Sequence, residues 1–285
     1  MRVLLISDYS LQHTAGGAQR SNAIIVDEGR QRGHSILEYN HDSNAQILEG
    51  SYDLIISSNL ENIVTRGVGP KIISQIASHP NHARLEHDAN RYLSDDLRKL
   101  LFQSCKKTFF LSNFHHQNFI DSYGDYFVNV EIVPDPIDSK LFKDYGEKRE
   151  DKILYVGFMH PYKGTDEFFA YAFENPELNF VVAGWASDEA YRRNCEIFPN
   201  VNLLGQVSYE EMPSLYNKYR TLFYKPSLYE PFCRSVGEAL FCGIEIESNN
   251  LIGSLHFLEE VGHDQFVLQC DRAPKTFWEK IECLQ

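Results

Sequence analysis

The sequence predicts an α/β protein composed of two doubly wound domains, one over residues 1–147 and the other over residues 148–285. Short apolar segments alternate with helical patterns along both halves, as in parallel sheets that carry helices on both faces. The length of 285 residues suits two domains of about 140 residues each. Between the halves, residues 144–152 are charged and almost without apolar side chains, which predicts the linker.

The first half contains apolar runs that are typical of strands buried on both faces of a parallel sheet. Gly33 ends the first helical pattern, because glycine closes a helix at little conformational cost. His87 follows a further strand, at the kind of strand end where doubly wound sheets bind ligands. The expected strands are residues 1–8, 52–57, 107–112 and 130–133, and the expected helices are residues 18–33, 71–78, 95–104 and 113–123.

The second half starts a new alternation directly after the charged stretch. Pro274 is placed at the start of the final helix, because a first-turn residue does not need the N–H that proline lacks. One strand is unusual, since Glu245 and Glu247 lie on one face of a segment that should be buried. The expected strands are residues 153–157, 180–183, 201–204 and 221–224, and the expected helices are residues 165–173, 210–218 and 274–283.

Composition excludes several classes of function. The formal net charge of −13 argues against nucleic acid as a partner, because the phosphate backbone binds basic surfaces. The six cysteines are scattered without a Cys-x-x-Cys pair, so neither a zinc site nor a disulfide framework is indicated. No run approaches the ~20 apolar residues of a membrane span, and no signal-peptide pattern precedes the first strand. We expect a soluble cytoplasmic protein, with peripheral membrane contact and the oligomeric state left open.

The functional prediction centres on residues 224–254, which contain the carboxylates Glu230 and Glu238. Pro231 suits the entrance of a helix but not its interior, so Glu230 is expected in the loop and Glu238 at least one turn inside the helix. Such a pair can hold two hydroxyl-bearing parts of one extended ligand, while the helix N-terminus faces an anion between them. The alternative is a pair of solvated carboxylates at a helix N-terminus, where negative charge is favoured.

Glu230-Pro-Phe, then Glu238 and Ala-Leu-Phe-Cys-Gly, resemble the donor-binding signature of retaining GT-B glycosyltransferases of family 4, the group 1 type. The resemblance implies two Rossmann-like domains that face each other across a cleft. It also implies a nucleotide-sugar donor, which is a substrate, and no cofactor. In that family the first Glu contacts the sugar and the second holds the ribose hydroxyls. These roles are carried over to Glu230 and Glu238.

Residues 157–164, GFMHPYKG, form a second motif with a strand end, a loop and a lysine before the next helix. Lys163 resembles the phosphate-binding lysine of the family. Phe158 departs from it, because the family commonly has arginine directly after Gly157. A charge-assisted hydrogen bond contributes about 1.5–3 kcal/mol, so its loss weakens leaving-group stabilisation roughly tenfold or more. Arg234 and His160 are the candidates to replace that charge.

Further loops resemble donor contacts of the family. His87 occupies the position of a histidine near the transferred sugar, and the loop after the second Glu resembles one whose main-chain N–H groups meet the donor phosphates. The glycines before the first helix suit close backbone approach to a phosphate or sugar. The catalytic candidates are His87, Glu230 and Lys163. The donor-binding candidates are Gly16, Gly17, Gly157, Lys163, Gly205, Gln206, Val207, Glu230, Phe232, Arg234, Glu238, Gly253 and Ser254.

The resemblance implies a retaining, metal-independent transfer from a UDP- or GDP-sugar to a glycan, lipid-linked or other acceptor. No Asp-x-Asp tripeptide occurs, so the diphosphate charge would be met by Lys163, Arg234 and backbone dipoles. The absence of Gly-x-Gly-x-x-Gly argues against a dinucleotide-dependent dehydrogenase. Two alternatives remain open: a catalytically silent module that binds sugar nucleotides or glycans, and a nucleotide-sugar epimerase on the same fold. A DNA glucosyltransferase is disfavoured by the acidic charge.

Overall fold

The computed structural model describes residues 1–12, 16–43, 45–65, 69–89, 91–186 and 188–284. Contacts divide the chain into two compact units. The first unit contains Met1–Pro136 and Leu268–Gln285, and the second contains Ile137–Val267.

The first unit has a six-stranded parallel sheet with the order β2-β1-β3-β4-β5-β6. Its strands are β1 (Arg2–Ile6), β2 (Ser35–Tyr39), β3 (Leu54–Ser57), β4 (His82–Leu85), β5 (Lys107–Phe110) and β6 (Val130–Ile132). Its helices are α1 (Gly17–Gln31), α2 (Glu61–Ile63), α3 (Gly69–Ser78), α4 (Asp95–Gln103) and α5 (Asn113–Tyr123), and Ala45–Glu49 is a 3₁₀ turn.

Local chemistry explains where several of these helices begin and end. The side chains of Ser94 and Ser112 accept hydrogen bonds from the first turns of α4 and α5, which satisfies N–H groups that lack partners within the helix. Gly124 closes α5 with a φ of +90°, which favours glycine. The strands β3 and β4 are buried throughout, because helices cover both faces of the sheet.

The second unit has a five-stranded parallel sheet with the order β11-β10-β7-β8-β9. Its strands are β7 (Glu150–Phe158), β8 (Phe180–Trp185), β9 (Val201–Gly205), β10 (Tyr219–Tyr224) and β11 (Glu245–Ser248). Its helices are α6 (Thr165–Glu174), α7 (Glu189–Ile197), α8 (Met212–Lys218), α9 (Arg234–Phe241) and α10 (Gly253–Val261), and Pro161–Lys163 is a 3₁₀ turn. The helix α11 (His263–Glu282) starts in this unit and belongs to the first unit from Leu268 onward.

The structure differs from the sequence prediction in several elements. β2 and α7 are not among the expected elements, and β7 starts inside the stretch assigned to the linker. α11 begins at His263 rather than at Pro274, which lies inside the helix and is buried. The division falls after Pro136, and the part of the chain from Leu268 joins the first unit, whereas the predicted boundary is at residues 147 and 148. The reason is packing, because Phe277 and Trp278 lie in the core of the first unit.

The acidic strand that the sequence left unexplained is β11, at the edge of the second sheet. Glu245 and Glu247 are both exposed there. Glu245 pairs with Arg220 of β10, with an Nε–Oε2 distance of 3.4 Å. Glu247 pairs with Lys225, which follows β10, with an Nζ–Oε1 distance of 2.6 Å. A charged edge strand resists pairing with other chains, which accounts for carboxylates in a parallel strand.

Among the residues that the structure describes, no helix is both long enough and apolar enough to cross a membrane.

Candidate functional site

The site in the second unit is centred on an ion pair between Lys163 and Glu230. Lys163 Nζ donates to Glu230 Oε1 at 2.6 Å, and the hydroxyl of Tyr224 donates to the same oxygen at 3.0 Å. Burial alone would lower the pKa of Lys163, but the Glu230 carboxylate raises it above the usual range. The lysine is therefore an ammonium group that an anionic ligand can approach.

The Pro161–Lys163 turn places this lysine. His160 Nδ1 accepts from the N–H of Tyr162, and the Tyr162 carbonyl accepts from the N–H of Ser227 at 3.2 Å. Gly164 follows with a φ of +76°, and a Cβ on it would lie 2.0 Å from the carbonyl oxygen of Lys225. Only glycine fits this close approach between the turn and the loop after β10.

The second predicted carboxylate, Glu238, lies on α9 beside Arg234. Arg234 Nε donates to Glu238 Oε1 at 2.9 Å, and its Nη2 donates to the hydroxyl of Tyr209, also at 2.9 Å. Both charged side chains are less than a tenth exposed. The structure thus places Glu230 in the loop and Glu238 inside the helix, as Pro231 indicated, and gives each carboxylate its own cation.

Cys233 joins the two halves of this site. It precedes α9 with a φ of +67°, a left-handed conformation that is uncommon for residues other than glycine. Burial and the nearby Glu230 carboxylate raise the pKa of its thiol to about 11. The thiol stays protonated near neutral pH, so Cys233 is not an activated nucleophile.

Two of the predicted donor-binding residues have their backbone N–H groups occupied within the fold. The N–H groups of Gly253 and Ser254, expected to meet phosphates, donate to the carbonyls of Glu230 at 3.0 Å and of Phe232 at 2.7 Å. Gly253 and Ser254 are the first residues of α10. These two hydrogen bonds therefore fasten the loop that carries Glu230 to the start of this helix. The Phe232 ring is also not at the surface: it is 1% exposed and stacks on Phe266.

The remaining predicted residues of this unit lie at carboxyl ends of strands. Gly157 is near the end of β7 with a φ of +130°, and Gly205 ends β9 with a φ of +77°. Gln206, which follows Gly205, is exposed, and Val207 is half-buried. Ligands of doubly wound sheets bind at this edge.

The predicted residues of the first unit follow the carboxyl ends of β1 and β4. His87 follows β4, and its ring nitrogens face two oxygens: Asn22 Oδ1 at 3.2 Å from Nε2, and Asp135 Oδ1 at 3.4 Å from Nδ1. The imidazole is almost fully buried. Gly16 precedes α1 and Gly17 is its first residue.

Sequence reasoning missed Tyr209, Tyr224 and Asp135. Tyr224 ends the strand that leads into Glu230, so it lay at the start of a segment that had been singled out, whereas Asp135 belongs to the Pro-Asp-Pro-Ile-Asp stretch that follows β6. Tyr209 carried no signal. In the described part of the chain, no three His, Cys, Asp or Glu side chains converge as a metal site would need.

Comparison with known proteins gives one family. The family model of glycosyl transferases group 1 matches residues 138–284. One of the subunits of human phosphatidylinositol N-acetylglucosaminyltransferase is 25% identical over 163 residues, which cover 54% of this chain and 33% of that protein. The chain therefore spans about a third of the length of this curated relative.

Solved structures resemble the chain over nearly its whole length. A glycosyltransferase of avilamycin A biosynthesis has a TM-score of 0.65 at 16% identity, covering 100% of this chain and 98% of its own. HepE from Anabaena, solved with UDP and glucose, has a TM-score of 0.68 at 13% identity, and the match covers 97% of this chain and 94% of the HepE chain. Sucrose-phosphate synthase from Thermosynechococcus elongatus has a TM-score of 0.71 at 13% identity, and the match covers 100% of this chain and 94% of the synthase chain. These likenesses confirm the predicted α/β class, with two parallel sheets of the GT-B type.

Proposed function

The chain belongs to the group 1 glycosyltransferase family, and from this membership we propose that it transfers a sugar from a nucleotide-sugar donor to an acceptor. The donor is a UDP- or GDP-sugar, the transfer retains the anomeric configuration, and no metal ion takes part. The acceptor class is a glycan, a lipid-linked sugar or another hydroxyl compound. The reaction takes place in the cytoplasm as a step of glycan biosynthesis, with peripheral membrane contact if the acceptor is lipid-linked.

The observation that carries this proposal is the pair of charge-compensated carboxylates in the second unit. Lys163 with Glu230, and Arg234 with Glu238, place two cations and two hydrogen-bond acceptors around one helix N-terminus. A diphosphate needs cationic partners, and the hydroxyls of a sugar and a ribose need acceptors. One nucleotide sugar satisfies both kinds of group.

The roles in the reaction follow from this chemistry. As the sugar C1–O bond to the diphosphate breaks, Lys163 stabilises the negative charge that develops on the leaving oxygen. Glu230 accepts a hydrogen bond from a sugar hydroxyl, and Glu238 accepts from the ribose. The acceptor oxygen bonds to C1 on the face that the diphosphate leaves, and its proton passes to a diphosphate oxygen.

Binding of nucleotides tests the donor site. We expect UDP or GDP to raise the melting temperature of the wild type with EDTA present, because a ligand that binds only the folded state stabilises it by mass action. Lys163→Ala and Glu238→Gln should lose most of this shift. Lys152→Ala is the matched control, since it removes a lysine–glutamate pair from the surface of the same unit, with an Nζ–Oε2 distance of 2.7 Å.

Turnover tests the reaction. Incubation of the wild type with donor and candidate acceptors should release free nucleotide only with acceptor, and the product should keep the donor's anomeric configuration by NMR. Binding without release would favour the silent binding module. Conversion of the donor sugar without acceptor would favour the epimerase. Loss of activity in EDTA would contradict metal independence.

A further inference from the structure

Two buried tyrosines lie side by side in the second unit, Tyr155 in β7 and Tyr224 at the end of β10. The two strands are neighbours in the sheet. The rings are stacked with their centroids 6.4 Å apart, a separation at which aromatic side chains still attract each other. Each hydroxyl forms a hydrogen bond to a different part of the ion-pair site.

The Tyr224 hydroxyl fixes one oxygen of Glu230. It donates to Oε1 at 3.0 Å, the same oxygen that accepts from Lys163 Nζ at 2.6 Å. Within the described part of the chain no group donates to the other oxygen, Oε2, which can therefore accept from a ligand. A lysine has a flexible four-carbon stem, whereas a tyrosine has only two side-chain torsions. The buried tyrosine is thus the more rigid of the two groups that hold the carboxylate.

The Tyr155 hydroxyl holds the turn that presents Lys163. It lies 2.9 Å from Thr165 Oγ1, and Thr165 is itself fully buried directly after the turn. Thr165 Oγ1 donates to the carbonyl of His160 at 3.0 Å and accepts from the N–H of His160 at 2.8 Å. Since Thr165 has one hydroxyl proton, Tyr155 is the donor to Thr165. The tyrosine is therefore connected through one threonine to both ends of the turn.

Both hydroxyls are suited to act as donors at neutral pH. Burial raises the pKa of Tyr155 and of Tyr224 above the usual range of tyrosine. Neither hydroxyl loses its proton near neutral pH, so each hydrogen bond keeps its direction.

We propose that Tyr155 and Tyr224 are positioning residues for the sugar transfer, and that each fixes a different member of the ion pair. The inference rests on the proposed function, in which Lys163 binds the diphosphate and Glu230 a sugar hydroxyl. As the Lys163 charge turns toward the diphosphate, Tyr224 still donates to Glu230 and keeps Oε2 directed at the sugar. Tyr155 keeps the turn, and with it Lys163, in place for the diphosphate. Neither tyrosine needs to touch the substrate, because prepositioned groups act through their geometry.

The first test is Tyr224→Phe, which removes the hydroxyl and keeps the ring. We expect it to weaken the binding of a nucleotide sugar by about tenfold, because Glu230 loses the donor that directs it at the sugar. The affinity for UDP or GDP should stay unchanged, because these ligands lack the sugar and Lys163 keeps its partner. A tyrosine that only supported the fold would not separate the two kinds of ligand.

The second test is Tyr155→Phe, for which we expect a different result. It should weaken the binding of the nucleoside diphosphate and of the nucleotide sugar equally, by about two- to tenfold, because both ligands depend on Lys163. Calorimetric titration with UDP, GDP, UDP-glucose, UDP-N-acetylglucosamine and GDP-mannose gives the affinities. Melting temperatures show that each variant is folded under the conditions of the titration.

Tyr216→Phe is the matched control. Tyr216 is also fully buried in the second unit, but its hydroxyl has no hydrogen-bond partner among the residues that the structure describes. This variant should bind every ligand as the wild type does. The positioning role of Tyr155 or Tyr224 is refuted if its own variant binds all five ligands with wild-type affinity. Both roles are refuted if the three variants weaken binding alike, since that would be a general effect of buried hydroxyls on the fold.

The two proposals fail separately. If Lys163→Ala loses UDP binding while both tyrosine variants behave as the wild type, the donor site stands and the positioning roles fall. If the wild type binds nucleoside diphosphates but no nucleotide sugar, Glu230 does not hold the sugar and the role of Tyr224 falls. If the wild type binds neither kind of ligand, the proposed function itself is contradicted and both positioning roles fall with it.

Discussion

Lys163 and Glu230 illustrate how single residues carry both function and a stability cost. Each charge is partly removed from water and is compensated by the other at 2.6 Å. Removing one partner leaves the other without its counter-charge, whereas removing both leaves no uncompensated charge. We expect the donor site to depend on both residues, while the folded state depends on their pairing.

A double-mutant cycle measures this pairing. Lys163→Met and Glu230→Gln should each lower the free energy of unfolding by about 1–2 kcal/mol, because the pair is only partly buried. The double variant should lie within about 1 kcal/mol of the wild type, and all three should lose donor binding. Chemical denaturation and UDP titration give the two readouts. The exposed Lys152–Glu150 pair is the control and should show no measurable coupling. Strict additivity of the two changes at Lys163 and Glu230 would show that the charges do not stabilise each other.

Asp88 gives a pH-dependent prediction in the first unit. Burial and the neighbouring Glu86 raise the pKa of this carboxyl to about 6, although Asn59 donates to it at 2.7 Å. Because the folded state holds the proton more tightly than the unfolded state, stability is lost as the pH rises from about 4 through 6. Asp88→Asn removes this loss and keeps an acceptor for Asn59.

The expected gain for Asp88→Asn is about 1–3 kcal/mol at pH 8, and it should shrink as the pH falls toward 4. Chemical denaturation at pH 5 and pH 8 provides the comparison. Asp125→Asn changes an exposed carboxylate of the same unit and should be neutral at both values. A gain for Asp88→Asn that is independent of pH would point to a cause other than its ionisation.

At the scale of elements, the Pro161–Lys163 turn and Gly164 position the cation of the site. Gly164 and Gly262 have nearly equal φ angles of +76° and +77°, but a Cβ on Gly262 would meet nothing within 4 Å. Both alanine variants carry the strain of a positive φ: Gly164 is in the left-handed conformation, which costs alanine about 1–2 kcal/mol, and Gly262, with a ψ of 160°, is in a region that is almost exclusive to glycine. Only Gly164→Ala also drives the turn against the Lys225 backbone.

We therefore expect both alanine variants to destabilise the protein, each by at least ~1 kcal/mol. Gly164→Ala should also weaken UDP binding, because Lys163 moves with the turn, and Gly262→Ala should not. Chemical denaturation and calorimetric titration measure both effects. Equal behaviour of the two variants would show that the close approach to Lys225 does not fix the turn.

The elements also show what the sequence could and could not predict. Pro231 was sufficient to place Glu230 in a loop and Glu238 in a helix, because its effect on the backbone is local. The Arg234–Glu238 pair is likewise a local i, i+4 spacing. The contacts of Tyr209 and Tyr224, and the occupied N–H groups of Gly253 and Ser254, depend on tertiary pairing. No local pattern encodes them.

Packing also overrode two local signals at this scale. Pro274 usually starts or breaks a helix, yet it lies inside α11. Phe277 and Trp278 follow it and are fully buried in the first unit, so their packing stabilises a helix that continues through the proline. β2 was missed because its five residues include Glu38 and no long apolar run.

At the scale of the whole molecule, the chain builds two units with separate cores and returns to the first one at Leu268. Trp278 is the anchor of the returning segment. It is fully buried, its Nε1 donates to the carbonyl of Ile25 at 2.7 Å, and a Cβ on Gly29 would lie 2.3 Å from its ring. This contact couples residues at opposite ends of the sequence within a single core.

Trp278→Ala should therefore destabilise the first unit by about 3–5 kcal/mol, the usual cost of deleting a large buried aromatic side chain. Hydrogen exchange should accelerate in α1 and β1 and stay unchanged in β7, β8 and β10, because the second unit has its own core. Lys275→Ala, at an exposed position on the same helix, is the control. Equal acceleration in both sheets would mean that the two units unfold as one, and that the contact division has no energetic counterpart.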